Sequence, residues 1–212
     1  GKEHPDYAMI LNNLALTYSK LGDYDKALEI DLQCLTLLEK TLGNEHRDYA
    51  YSLNNTAMTY LAKGDYEQAL EMNLECLDLR EKILGKEHPD YVLSLFTLAN
   101  IYSSLGDYDT ALKMQLECLD LREQIFGKEH PSYATSLNNI ATTYSKLGDY
   151  DIALELSLEC LALYEKILGE EHPDYALSLG NLASTYSDLG DYDKALELNI
   201  QCLALSEKLS GK

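Results

Sequence analysis

Apolar positions recur along the chain at two interleaved helical spacings. Across residues 5–21, Tyr7, Leu11, Leu14, Tyr18 and Leu21 follow one another at steps of three and four, with Ala8 and Ala15 alongside. That period predicts one face of an α-helix. Pro5 suits the first turn, where a missing N–H costs nothing, and Asp6 favours the positive dipole end. Gly22 predicts a stop, and Asp23 an N-cap for a second helix. That second helix carries two apolar stripes, one through Ala27, Ile30, Cys34, Leu37 and Thr41, the other through Leu28, Leu32, Leu35 and Leu42. Adjacent stripes predict a helix covered on two sides. Gly43 ends it, leaving Asn44, Glu45 and His46 as a short connector.

The same pattern returns every 42 residues without a slip, in units 1–42, 43–84, 85–126, 127–168 and 169–210. Sixteen of the 42 positions hold the same residue in all five units, which identifies a tandem array rather than chance similarity. Short connectors make neighbouring helices antiparallel. The expected fold is therefore all-α, an α-solenoid of five antiparallel helix pairs forming one repeat domain over residues 1–212.

Composition narrows the partners. Thirty-six acidic residues against seventeen basic ones give a formal charge of −19. Phosphate backbones and anionic membrane surfaces bind through Lys and Arg, so neither is an expected partner. No apolar run approaches the roughly 18 residues of a membrane span. Five cysteines, an odd number, argue against a complete intrachain disulfide set and suggest reduced thiols in a cytoplasmic setting. The chain opens on Gly1 rather than methionine, as expected of an excised or processed piece.

The stretch LNNLALTYSKLGDYDKALEI, residues 11–30, resembles a tetratricopeptide repeat. Leu14, Ala15, Tyr18, Gly22, Tyr24 and Ala27 match that family's order of large, small, aromatic, glycine, aromatic and alanine. The usual unit has 34 residues; the 42-residue length and the phrase GKEHPDYA resemble the repeats of kinesin light chains. The resemblance implies a right-handed superhelix whose concave face, lined by first helices, holds an extended peptide. Two positions depart from the family. A cysteine (Cys34, Cys76, Cys118, Cys160, Cys202) stands where a small alanine is common, and Asp31, Asn73, Gln115, Ser157 and Asn199 replace an aromatic. Both departures are read as packing detail.

Cysteine and histidine recur together and raise the question of catalysis or metal binding. From Cys76 to Leu84 a helix rises about 12 Å, so Cys76 and His88 of adjoining segments are too far apart for a catalytic pair. Equivalent residues of successive units lie roughly 10 Å or more apart, beyond zinc ligation and disulfide reach. The cysteines are expected as small core residues, and His4, His46, His88, His130 and His172 as caps or packing at the head of each first helix. Fifteen of the seventeen tyrosines fall in the columns of Tyr7, Tyr18 and Tyr24 and read as inter-helix filling. No enzyme chemistry and no cofactor site emerge.

First helices carry Asp6, Asp48, Asp90, Asp174 and Asp188 against Lys20, Arg47, Lys63 and Lys146, so their surface is nearly neutral. The acidity is assigned to second helices and connectors, as a solvated outer face. The first-helix face should instead present amides. Asn12, Asn13, Asn54, Asn55, Asn138, Asn139 and Asn181 lie in the LNN segments, with Asn100 one turn on. An amide offers donor and acceptor to a peptide backbone. In the family the position of Asn13 commonly contacts ligand, which Asn55, Asn139 and Asn181 would inherit. The third unit departs, with Phe96 as a potential hydrophobic anchor and Thr97 in place of the amide. Without a basic cluster, the expected ligand is a neutral to mildly basic peptide or protein segment. The alternative is a spacer or self-assembling array whose end faces stack head to tail.

Overall fold

The computed structural model describes residues 5–211; His4 lies outside them, as do the side chains of Pro5 and Asp6. Among the described residues it consists of ten helices without strands: α1 Pro5–Lys20, α2 Tyr24–Leu42, α3 Arg47–Lys63, α4 Tyr66–Leu84, α5 Pro89–Leu105, α6 Tyr108–Phe126, α7 Pro131–Leu147, α8 Tyr150–Leu168, α9 Pro173–Asp188 and α10 Tyr192–Ser210. The contacts divide them into two compact units, Gly1–Asp107 and Tyr108–Lys212, so the helices of the third repeat fall one in each.

Local chemistry sets the boundaries. The side chains of Asp23, Asp65 and Asp191 accept from the backbone N–H three residues on, capping α2, α4 and α10. His46, His88, His130 and His172 do the equivalent job for first helices, each Nδ1 accepting a backbone N–H at 3.1–3.2 Å. The expected capping role holds at all four. Gly64 turns at φ 86°, ψ 12°, the left-handed C-cap. Gly85 sits at φ 81°, ψ 165°, a region only glycine occupies without strain.

In the first unit α1 pairs with α2 and α3 with α4, each second helix packs on the next first helix, and α1, α3 and α5 touch in a row. In the second, α7 pairs with α8 and α9 with α10, with α6 on α7, α8 on α9, and α7 touching α9. The inner stripe is dry in α2, α4, α6 and α8: Ala27 and Cys34 are 0% exposed, as are Cys76, Cys118 and Cys160, whereas Cys202 of α10 is partly exposed. The second stripe is covered only in part. Leu28 and Leu35 are buried, whereas Leu32, Leu74, Leu116, Leu158 and Ile200 are 41–59% exposed, so this column faces outward rather than packing on a neighbour. The charges of second helices also depart from a purely solvated outer face: Asp31, Arg80 and Arg122 are buried. Most tyrosines of the three columns are partly buried between helices, and Tyr91 and Tyr133 fully so.

Candidate functional site

The two asparagine columns of the LNN segments separate in space. Asn12 and Asn54 are buried, and their side-chain oxygens accept from Ser52 and Ser94 of the following repeat, at 3.2 and 3.5 Å. Asn54 also donates to Met58 Sδ at 3.6 Å. This column ties one repeat to the next as well as lining the face. The second column lies further out. Asn13 is exposed and Asn55, Asn139 and Asn181 are partly buried, as are Asn138, Asn100 and Phe96. In the second unit Asn181 donates to Asn138 at 2.9 Å, which spends part of both amides on each other.

Among the described residues, two clefts on the first-helix face of the first unit concern these amides. The larger, about 400 Å³, brings Asn12 and Asn13 of α1 together with Arg47, Asp48 and Tyr51 of α3 and Asp90 of α5. Arg47 stands where the other units have proline, and Tyr51 is 51% exposed, so this cleft has a character of its own. The smaller, about 150 Å³, lies between α1 and α3 beside Asn55, Leu16 and Met58, with Asp31 in its wall. In the second unit a shallow space of about 110 Å³ lies among Thr142, Lys146, Asn181 and Ser184. All are lined by hydrogen-bonding side chains with apolar or hydroxyl neighbours, a lining suited to a peptide backbone with small side chains.

The cysteines and histidines make backbone hydrogen bonds within the fold. The thiols of Cys34, Cys76, Cys160 and Cys202 donate to the carbonyls of Ala8, Ala50, Ala134 and Ala176 of their own repeats, at 3.1–3.3 Å. Burial pushes Cys34, Cys76 and Cys118 above the usual thiol range, and Cys160 to about 12, opposite to what a nucleophile needs. Among the described residues no three His, Cys, Asp or Glu side chains are placed to hold a metal ion. Nor is any described helix long and apolar enough to cross a membrane.

The joints hold polar residues that the helical period alone does not single out. Arg80 is 2% exposed and donates to the Asp90 carbonyl at 2.6 Å and to Ser94 Oγ at 2.8 Å. Ser94 also meets Cys76 Sγ at 3.2 Å, so Asn54, Cys76 and Arg80 of one repeat converge on one hydroxyl of the next. Arg122 repeats the arrangement with the Ser132 carbonyl and Ser136 Oγ, and its burial lowers its basicity. The signal in the sequence is the serine column Ser52, Ser94, Ser136 and Ser178, set on a face where Ile10 stands in the first repeat.

Residues 6–82, 57–124, 91–166 and 132–208 each match the family model of the tetratricopeptide repeat. The chain belongs to the tetratricopeptide repeat family. Its repeats are similar to the nearly identical TPR-like repeats of a kinesin light chain-like protein of Podospora anserina, at 29% identity over 99% of both chains and a TM-score of 0.81. The fold also matches BtubC (BKLC) of P. vanneervenii, at 22% identity over 95% of this chain and 80% of that one, TM-score 0.78. A Rap protein complexed with Competence and Sporulation Factor matches at 18% identity, over 96% of this chain and 54% of that one, TM-score 0.80. No curated protein sequence matches. The 42-residue units are thus TPR units, built of consecutive packed helix pairs, and arrays of this family are in general interaction scaffolds rather than enzymes.

Proposed function

We propose that this tetratricopeptide repeat protein is a non-enzymatic scaffold that takes an extended, neutral to mildly basic peptide or partner segment along its first-helix face. The observation that carries the reading is the outer asparagine column: Asn13 and Asn55 stand beside open clefts, while the inner column of Asn12 and Asn54 holds the joints together. Amides at this position in four of the five repeats suit a chain whose backbone offers donors and acceptors in turn. The Rap neighbour, described in complex with a factor, agrees with such a use of the fold. A cytoplasmic location goes with the proposal, since the cysteines are free thiols and four of them are buried. The test is a pull-down with the intact array followed by fluorescence anisotropy of the recovered peptide. Exchanging Asn55 and Asn139 for alanine should abolish binding while the circular dichroism and melt stay intact; unchanged affinity would refute the reading.

A second reading, a self-assembling spacer, is favoured by two exposed apolar positions, Ile10 on α1 and Leu203 on α10. Ile10 is 57% exposed where Ser52, Ser94, Ser136 and Ser178 are buried, and Leu203 is 61% exposed where Leu35 is 8%. Two such faces fit head to tail as an internal joint does, without closing on a two-fold. Sedimentation across concentration and salt tests it, because salt screens the −19 charge. A strict monomer throughout would discard this second reading.

A further inference from the structure

Between the first and second repeats, the first-helix face opens into the cavity of about 150 Å³. α1 and α3 supply its sides through Leu16, Met58 and Ala62 and through the amides of Asn12 and Asn55; α2 reaches it with one residue, Asp31. Leu16 and Met58 are 52% and 50% exposed, so the mouth is wet, whereas Asp31 is 1% exposed. A carboxylate drawn out of water is costly unless an opposite charge or several donors replace its hydration. Here Thr59 Oγ1 donates to Oδ2 at 2.8 Å, and no other lining side chain is ionisable. Burial pushes the carboxyl up to about 6, against the pull of that hydrogen bond. On α2 itself the Cys34 thiol stands three residues on and is raised in part by the charge of Asp31.

Packing does not require an acid at this position. The next three repeats bury Asn73, Gln115 and Ser157 in the same place, at 0%, 3% and 3% exposure. A carboxylate is therefore particular to this joint, and the first-helix groove here deepens to reach it.

From this juxtaposition we infer that the cavity is a specificity pocket for one cationic side chain of the bound peptide, lysine by shape, with its methylenes along Leu16, Met58 and Ala62 and its ammonium on Asp31. The inference rests on the peptide-binding reading above. A cavity of roughly 150 Å³ accepts a benzene-sized guest, so one butylammonium chain fills it. An ammonium brings three donors to a group that now has one from Thr59. The apolar sides and polar back match a side chain that buries its stem and keeps its head paired. Where Asp31 is protonated beforehand, its proton passes to solvent as the ammonium arrives.

The test follows Asp31 directly. In protein labelled with ¹³C-aspartate, the Asp31 carboxyl resonance is assigned by its loss in Asp31→Asn. It is then titrated in the presence of n-butylammonium chloride, 1-pentanol or sodium chloride at equal ionic strength. The inference expects the amine to lower the midpoint by about one unit or more, as an adjacent opposite charge does, with no effect of the alcohol or of sodium chloride. A midpoint that the amine leaves in place, or that the alcohol shifts equally, overturns it. Peptides recovered on the array supply the second arm. Exchange of a lysine for norleucine should cost about tenfold in wild type, the order of one charge-assisted hydrogen bond, and nothing in Asp31→Asn. A peptide that depends on Asn55 and Asn139 yet ignores both exchanges keeps the groove and overturns the pocket. Amine uptake without any peptide binding supports the pocket chemistry and sinks the groove reading alone.

Discussion

Replacing Asp31 by asparagine should make the protein more stable, and chiefly at neutral pH. Asp31 is 1% exposed, and burial raises its carboxyl from 3.8 to about 6 despite the hydrogen bond from Thr59. As pH rises, the unfolded chain ionises this group near 3.8 while the folded chain keeps the proton until about 6. Between those values the folded state holds more protons, so stability falls with pH; above about 6 the loss is complete and constant. A gap of roughly two units at 1.36 kcal/mol per unit gives about 3 kcal/mol. Asparagine carries no charge, keeps an oxygen for Thr59, and already occupies this position in the second repeat as Asn73. Asp31→Asn should therefore gain about 3 kcal/mol near pH 7.5 and only about 0.5 kcal/mol near pH 4. Urea unfolding followed by circular dichroism, run on both proteins at both pH values, measures the double difference. An equal gain at the two pH values, or a loss near pH 7.5, would show that Asp31 is not the strained acid described.

Three further outcomes follow from the joints and the thiols. Asn73 is fully buried with neither amide atom hydrogen-bonded, because Ile101 stands where Thr59 serves Asp31; the near-isosteric Asn73→Leu should gain about 1–2 kcal/mol in a denaturant titration. Ser94→Ala strips a hydroxyl shared by Asn54, Cys76 and Arg80 and should cost about 1–3 kcal/mol by the same titration, with a smaller loss for Ser52→Ala, whose hydroxyl meets Asn12 and Cys34 and where Leu38 stands in place of the arginine. The buried thiols, raised by desolvation, should react with a disulfide reagent only as fast as the protein opens, and Cys202, partly exposed, should react first; uniform fast labelling of the native protein would contradict the burial.

How much was legible from the sequence differs between the helices and the sides of them. Boundaries were legible because glycine, proline, aspartate and histidine punctuate every repeat and act locally: Asp23 and His46 cap as their positions predict. The cysteine column was legible for the same reason, since Ala27 and Cys34 share one line of α2. The outward turn of Leu32 was not. At about 100° per residue, Leu35 lies 20° to one side of Leu28 and Leu32 40° to the other, and that difference separates the covered edge from the open one. Only the position of a neighbouring helix decides where the edge falls. Asp31 and Arg80 were legible in principle, each four residues from Ala27 and Cys76 on the buried line, but a count of charges per helix assigns them to solvent. The division of the asparagines was hidden for a related reason: Asn12 and Asn13 are neighbours in sequence, and it takes Ser52 of the next repeat to claim the first and leave the second exposed.

The central claim, an extended peptide on the first-helix face, is tested most directly by amide chemical-shift mapping of ¹⁵N-labelled protein with a peptide recovered on the array. The account predicts perturbations along α1 and α3 around Asn13 and Asn55, and along α7 and α9 around Asn139 and Asn181, with the outward column of Leu32 and Leu74 unmoved. Perturbations confined to that outward column, or to the exposed surfaces around Ile10 and Leu203, would contradict it.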